Sequence, residues 1–287
     1  MSQLKLSDGR NFEYEDNGVK SDQAILFLHG TPSADKLWSK WLPQVTDCLA
    51  IAASRAGYGK SDRHKGRTVA DDLADQQALL DHFHIKEFVA IGWSGGGPHA
   101  INMTRDPRNK GAITLAGVAE WGHDDLDFLA DMGPENEEEF GEALKGEAAI
   151  QAWMSKNAPA YKNITGPEVI SAFGGLIGDV DKAALTPDVA ADMAINLRHS
   201  VVDSFDGWAD DDLAFVQKFG FDLAAINKPV LVWQGDDDFM VPKAHGEWLA
   251  KHIPTAKLNF LPGQGHISLG TAYRLEIIKQ AMALLKA

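Results

Sequence analysis

The chain opens on alternation. Residues 2–7 and 10–15 alternate polar and apolar positions about Asp8-Gly9, which predicts a β-hairpin. The pattern then changes. Four short runs, residues 24–28, 48–53, 88–91 and 112–116, are apolar without alternation. Each ends in a turn: His29-Gly30-Thr31-Pro32, Ser54-Arg55-Ala56-Gly57, Gly92-Trp93-Ser94 and Gly117. Helical periodicity separates the runs. It is clearest over residues 68–83, where Val69, Leu73, Gln76, Leu80 and Phe83 share one side and Thr68 with Asp71 makes a capping pattern. Non-alternating strands joined by helices predict a parallel sheet covered on both faces.

The rhythm breaks near Trp121. Residues 121–219 hold no apolar strand; they read as helices rich in Ala, Leu, Met and Trp, broken at Gly133-Pro134, Gly166-Pro167 and Thr186-Pro187. The acidic run 135–139 reads as a solvated helix start. Strands resume at 229–233 and 256–260, and an amphipathic helix closes the chain over residues 272–285. The organisation expected is a core made of residues 1–120 and 220–287, interrupted by a helical insertion at 121–219. An insertion at the carboxyl edge of a parallel sheet would cover the crevice where ligands bind.

Composition narrows the classes. Basic residues number 27 and acidic residues 41, a net charge of −14, which disfavours nucleic acid and anionic membrane partners. Cys48 is the lone cysteine, so no intrachain disulfide forms, and its apolar surroundings mark it as core filler. The N-terminus lacks the charged head, apolar run and cleavage site of a signal peptide, and no run approaches the ~20 apolar residues of a membrane span. A cytoplasmic protein acting on a small molecule is expected. A homodimer is compatible with the sequence.

The chemistry begins at Gly92-Trp93-Ser94-Gly95-Gly96, a G-x-S-x-G pattern after a strand. A strand-to-helix turn this sharp needs glycines, and it presents the serine hydroxyl beside backbone N–H groups at a helix start. The same stretch also contains Gly95-Gly96-Gly97-Pro98-His99-Ala100, a relaxed dinucleotide fingerprint, with Glu120 at the end of the next strand. That rival, a nucleotide-binding oxidoreductase, leaves the distant motifs unused. A serine needs a base, and the base needs an acid. The acidic loop 236–238 follows one strand, and Gly265-His266 follows the next. The order serine, acid, histidine is the one this topology requires. His82 and His84 lack the acidic or cysteine partners of a metal site, so no metal is expected.

Four motifs now stand in order: His29-Gly30-Thr31-Pro32; Arg55-Ala56-Gly57-Tyr58-Gly59-Lys60-Ser61-Asp62; the turn at Ser94; and the paired Gly-x-x-Asp-x-x-Val-Pro and Gly-His ends. Together they resemble the α/β-hydrolase superfamily, in its serine-nucleophile members with a helical cap. The resemblance implies a mostly parallel eight-stranded sheet flanked by helices, with residues 121–219 as cap. It selects Asp238, the third residue after Gly235, as the acid beside Ser94 and His266. The N–H after the nucleophile, that of Gly95, is one oxyanion donor, and the resemblance implies the Thr31 N–H as the second. His29 reads as a structural loop histidine. No cofactor is implied.

Serine at position 94 argues against the epoxide- and halide-processing relatives, which attack with a carboxylate. The expected substrate is a small, neutral, partly hydrophobic ester. Trp93 is a candidate substrate contact. In the cap, Trp121, Phe128, Trp153, Met154, Phe173, Met193, Phe205 and Trp208 are candidates for the pocket wall. A carbon–carbon bond hydrolase of a diketone acid would use the same triad, with Arg198 as partner for the substrate carboxylate. A ligand-binding protein on the same fold is the non-enzymatic alternative.

Overall fold

The computed structural model describes residues 2–287. The predicted hairpin forms from β1 (Ser2–Lys5) and β2 (Asn11–Asp16), paired antiparallel with Lys5 opposite Asn11. The apolar runs become β3 (Gln23–Leu28), β4 (Leu49–Ala53), β5 (Glu87–Trp93) and β6 (Asn109–Leu115). Helix α1 (Asp72–His82) precedes β5 and α2 (Gly96–Asn102) follows it. The sheet is completed by β7 (Val230–Gly235) and β8 (Ala256–Leu261), in the order β1-β2-β4-β3-β5-β6-β7-β8. Only β1–β2 and β2–β4 pair antiparallel; every other pairing is parallel. This is the α/β-hydrolase fold that the motifs implied.

The central strands lack alternation because both faces are covered. Leu26, Leu28, Ile51, Phe88 and Ala90 enter one core, while Ile25, Phe27, Ala50, Val89 and Ile91 enter the other. Neighbouring residues thus serve opposite layers, as the period of two requires. Cys48 is buried in the second core, where burial pushes its thiol up to about 11 and leaves it unreactive at neutral pH.

Between β6 and β7 the chain runs through α3 (Pro134–Ala143), α4 (Glu147–Asn157), α5 (Gly166–Phe173), α6 (Asp179–Ala184), α7 (Pro187–Ser200) and α8 (Asp206–Phe215). The three breaks read from the sequence are starts of helices. Pro134 and Pro187 occupy first helical positions, where a missing N–H leaves no helical bond unmade. No strand of the sheet arises in this stretch; Ile177 makes one isolated bridge to Asp238. Helices α9 (Lys243–His252) and α10 (His266–Leu285) complete the fold.

Two expectations are corrected. The helix expected over 68–83 begins as a 3-10 turn at Val69–Asp71, with Asp71 accepting from the Thr68 N–H at 2.7 Å. The last helix begins at His266, six residues before its expected start at 272. Among the described residues no helix is long and apolar enough to cross a membrane.

Candidate active site

β5, β7 and β8 deliver three loops to the carboxyl edge of the sheet. Ser94 sits at the end of β5 with φ +57°, a left-handed conformation that a non-glycine residue adopts only when its surroundings impose it. Its N–H donates to the Leu115 carbonyl at 2.8 Å, and its carbonyl accepts from Gly97 at 2.9 Å. A side chain on Gly92 would collide with the Gly96 carbonyl, and one on Gly96 with the Leu28 carbonyl. The glycines of the motif are therefore required by backbone crossing backbone at the turn.

Asp238 follows β7. Its Oδ1 accepts from the backbone N–H groups of Met240 and Val241, at 2.9 and 2.8 Å, which fixes the carboxylate. The other oxygen, Oδ2, lies 2.8 Å from His266 Nδ1. An ionised carboxylate only accepts, so Nδ1 carries the proton and Nε2 is left with a lone pair. Burial works against a charged His266, but the Asp238 charge and hydrogen bond, helped by Asp181, outweigh it and raise its pKa above 6.5. Asp236 instead accepts from Gly263 N–H at 2.6 Å.

His266 is placed by a residue the sequence did not offer. Asp181 of α6 is fully buried and accepts from the N–H groups of His266, Ile267 and Ser268, at 2.8, 2.9 and 2.8 Å. It caps α10 from a distant helix, satisfying donors that a helix start leaves open. Two consequences are testable together. kcat/KM should fall as pH drops through the raised His266 value, because a base must be neutral. Asp181→Asn removes a negative charge that supports protonation, so this acid limb should move to lower pH. The weakened cap should also lower the plateau by about tenfold, equivalent to ~1.4 kcal/mol. A pH profile of both proteins checks this; an unmoved limb in Asp181→Asn would refute the electrostatic role.

The loop opposite Ser94 is held by Arg55. Its guanidinium donates to the carbonyl oxygens of His29 and Gly30, and lies 3.2 Å from Thr31 Oγ1. His29 Nε2 accepts from the Arg55 N–H at 2.9 Å, so Nδ1 carries the proton and bonds the Gly30 carbonyl. Burial and the nearby Arg55 charge keep this imidazole neutral. Asp211 of α8 closes the arrangement, accepting from Thr31 Oγ1 at 2.5 Å, Arg55 Nη2 at 2.6 Å and the Tyr58 hydroxyl at 2.8 Å. Among the described residues, neither the Thr31 nor the Gly95 N–H has a protein acceptor.

Ser94, Gly95 and Thr31 border a cavity of about 300 Å³ that extends beneath α3, α4, α5 and α8. Ser94 and His266 share a second, smaller cavity of about 70 Å³ with Trp93 and Thr31. Of the wall residues expected, Trp153, Phe173 and Trp208 face the larger cavity, and Phe173 and Met193 the smaller. Trp121 and Phe128 pack on each other in the core instead, with ring centroids 4.9 Å apart, and Met154 is buried in a separate apolar cluster. Phe205 lies under Lys162, 4.9 Å from its ring centroid. Tyr161, Phe140, Phe215, Met132 and Met240 line the larger cavity without having been anticipated.

Arg198 is not brought to Ser94. It donates to the Ile164 carbonyl and borders a surface groove with Lys162 and Val202. Glu120 accepts from the Phe219 N–H at 2.8 Å and pairs with His123 at 2.6 Å, so it is occupied within the core. The acidic run 135–139 departs from expectation. Glu137 and Glu138 are exposed, but Glu139 turns inward, accepting from Trp208 Nε1 at 2.5 Å beside Asp212. Burial raises both of these carboxyls above the usual range, and the charge of Glu139 adds to the effect at Asp212.

Sheet order, the sharp turn at Ser94 and the loops gathered at the strand ends define the class. The chain belongs to the alpha/beta hydrolase family, whose profile matches residues 25–275. It is 28% identical over 282 residues to a non-heme chloroperoxidase of Kitasatospora aureofaciens, covering 90% of each chain. It is 26% identical over 303 residues to a bifunctional esterase/perhydrolase of Acinetobacter calcoaceticus, covering 100% of each. Its fold superposes on a thermophilic esterase from Thermogutta terrifontis with a TM-score of 0.72, at 20% identity and 99% and 100% coverage of the two chains. It superposes equally on the enol-lactonase of Burkholderia xenovorans LB400, with a TM-score of 0.72, 18% identity and full coverage of both.

Proposed function

We propose that this hydrolase cleaves a small, partly hydrophobic ester-type carbonyl compound through an acyl-enzyme on Ser94. The observation that carries this is the 2.8 Å contact of Asp238 with His266 Nδ1, which leaves Nε2 unprotonated on a histidine that lines a cavity together with Ser94. Nε2 takes the hydroxyl proton as Oγ bonds to the substrate carbonyl carbon. The developing oxyanion accepts from the Gly95 and Thr31 N–H groups. The carbon–oxygen bond to the alcohol then breaks, and His266 passes the proton to the departing oxygen. Water, deprotonated by the same nitrogen, attacks the acyl carbon and frees Ser94.

Helices α3 to α8 act as a lid whose underside shapes the substrate. No lysine, arginine or histidine among the described residues lines the larger cavity. A substrate carboxylate would find no partner there, which favours an ester over a diketone acid. The test is covalent labelling with a fluorophosphonate alongside turnover of p-nitrophenyl acetate. One label per chain, on Ser94, is expected. A protein that neither labels nor turns over the ester would overturn the proposal.

A further inference from the structure

The wall of the larger cavity has a polar part that ester cleavage does not use. Glu139 of α3 and Asp212 of α8 both line it, close enough that each acts on the other's ionisation. Both are at least nine-tenths buried. Glu139 Oε1 is satisfied by Trp208 Nε1, but Asp212 Oδ2 receives no donor from any described residue. Two more carboxylates, Glu135 and Glu138, border the same space, and no basic side chain among the described residues does. Burying two carboxyls against each other is expensive unless a proton or a cation lies between them.

The surrounding surface is aromatic. Trp208 stands edge-on to Trp153, with centroids 5.9 Å apart, and to Tyr161, with centroids 5.2 Å apart; all three line the cavity. Ring faces attract a cation whose carbon shell is desolvated, and a nearby carboxylate adds charge–charge attraction. The net negative charge of the whole chain works in the same direction.

We infer that this part of the cavity wall is a subsite for a cationic nitrogen of the substrate, an alkylammonium group, with Glu139 and Asp212 as counter-ions and Trp153, Tyr161 and Trp208 around its carbon shell. This rests on Ser94, which borders the same cavity, being the nucleophile. It replaces the neutral ester expected from the sequence with one carrying a positive charge away from the scissile bond. The ammonium supplies the positive charge that two carboxyls buried side by side call for.

The experiment compares choline with its uncharged isostere 3,3-dimethylbutanol as inhibitors of p-nitrophenyl acetate hydrolysis by the wild-type protein. Choline should inhibit at least roughly tenfold more tightly. The corresponding acetate esters should show the same ratio in kcat/KM, carried mainly by KM. In Glu139→Gln/Asp212→Asn both ratios should fall to near one. Equal inhibition by the two alcohols in the wild type would overturn the inference, as would a preference that survives the double substitution. The wild-type comparison decides alone if the double variant does not fold. Methylammonium and tetramethylammonium, run in parallel, separate a primary amine from a quaternary one. Tryptophan fluorescence of Ser94→Ala, titrated with choline and with the neutral alcohol, reads the subsite without turnover. A cation-specific change there in a protein that hydrolyses no ester would retain the subsite and reject the nucleophile; ester turnover without cation preference would do the reverse.

Discussion

Replacing Ser94 with alanine should lower kcat for p-nitrophenyl acetate by a factor on the order of 10⁶, to the assay background, while the protein melts within about 2 °C of the wild type. The size of the loss follows from how little can substitute for the hydroxyl. No other nucleophile stands at the end of β5, and Cys48 is sealed in the core with its thiol pushed up to about 11. His266 and the two N–H donors remain, but without a bond to form they orient water only poorly. The fold should be indifferent, because Ser94 is tied through its backbone N–H and carbonyl. Alanine meets the same conformational penalty at φ +57° that serine already meets. Initial rates, a thermal melt and fluorophosphonate labelling check the three parts. A variant that keeps one per cent of the rate would mean that the serine is not the nucleophile.

The central strands were legible because burial on both faces leaves a plain mark: apolar runs without alternation, each closed by a turn. Of the candidate site residues, Ser94 and Asp238 follow such runs and His266 follows the half-exposed edge strand β8, so that topology alone places the three at one edge. What escaped reading depends on contacts between distant segments. Asp181 lies in an unremarkable helix, and nothing near it in sequence says that it caps α10. The early start of that helix was missed for the same reason, since Gly265 offers no side-chain cap of its own.

Asp210-Asp211-Asp212 shows the limit most clearly. Nothing in the sequence says where three consecutive acids on a helix point, and all three are buried. Steps of about 100° around α8 send them to different partners. Asp210 pairs with Arg63 at 2.7 Å, Asp211 with Arg55 and Arg67, and Asp212 faces Glu139. The pattern becomes informative only when the arginines of the loop at 55–67 are known to lie beneath the helix. Gly57 and Gly207 allow that approach, since a side chain on Gly57 would lie 2.7 Å from the Gly207 nitrogen.

Asp211→Ala should destabilise the protein by about 3–5 kcal/mol, because it strands two buried guanidinium groups. Arg55 and Arg67 each lie 2.6 Å from Asp211, with side chains at most 2% exposed. Removing one partner of such a pair costs more than the pair contributes, since the remaining charge stays desolvated. The Arg67 contact is an ion pair whose angle misses hydrogen-bond geometry, so its loss is mainly electrostatic. For a chain of this size the melting temperature should fall by roughly 10 °C. Burial opposes ionisation of Asp211, but Arg55 and Arg67 outweigh it and hold its pKa well below 3.8. Its contribution is therefore complete above the ordinary aspartate range and fades as pH falls through the depressed value, so the deficit of the variant should be constant through neutral pH. The same substitution also frees the Thr31 hydroxyl and loosens Arg55, which grips the carbonyls of His29 and Gly30. At temperatures where the variant is still folded, kcat should drop about tenfold further than stability explains, through a misplaced Thr31 N–H. Combining Asp211→Leu with Arg67→Met should recover part of the stability without recovering kcat. Melting curves and single-temperature kinetics separate the two effects, and recovery of both together would make the Thr31 anchor irrelevant to catalysis.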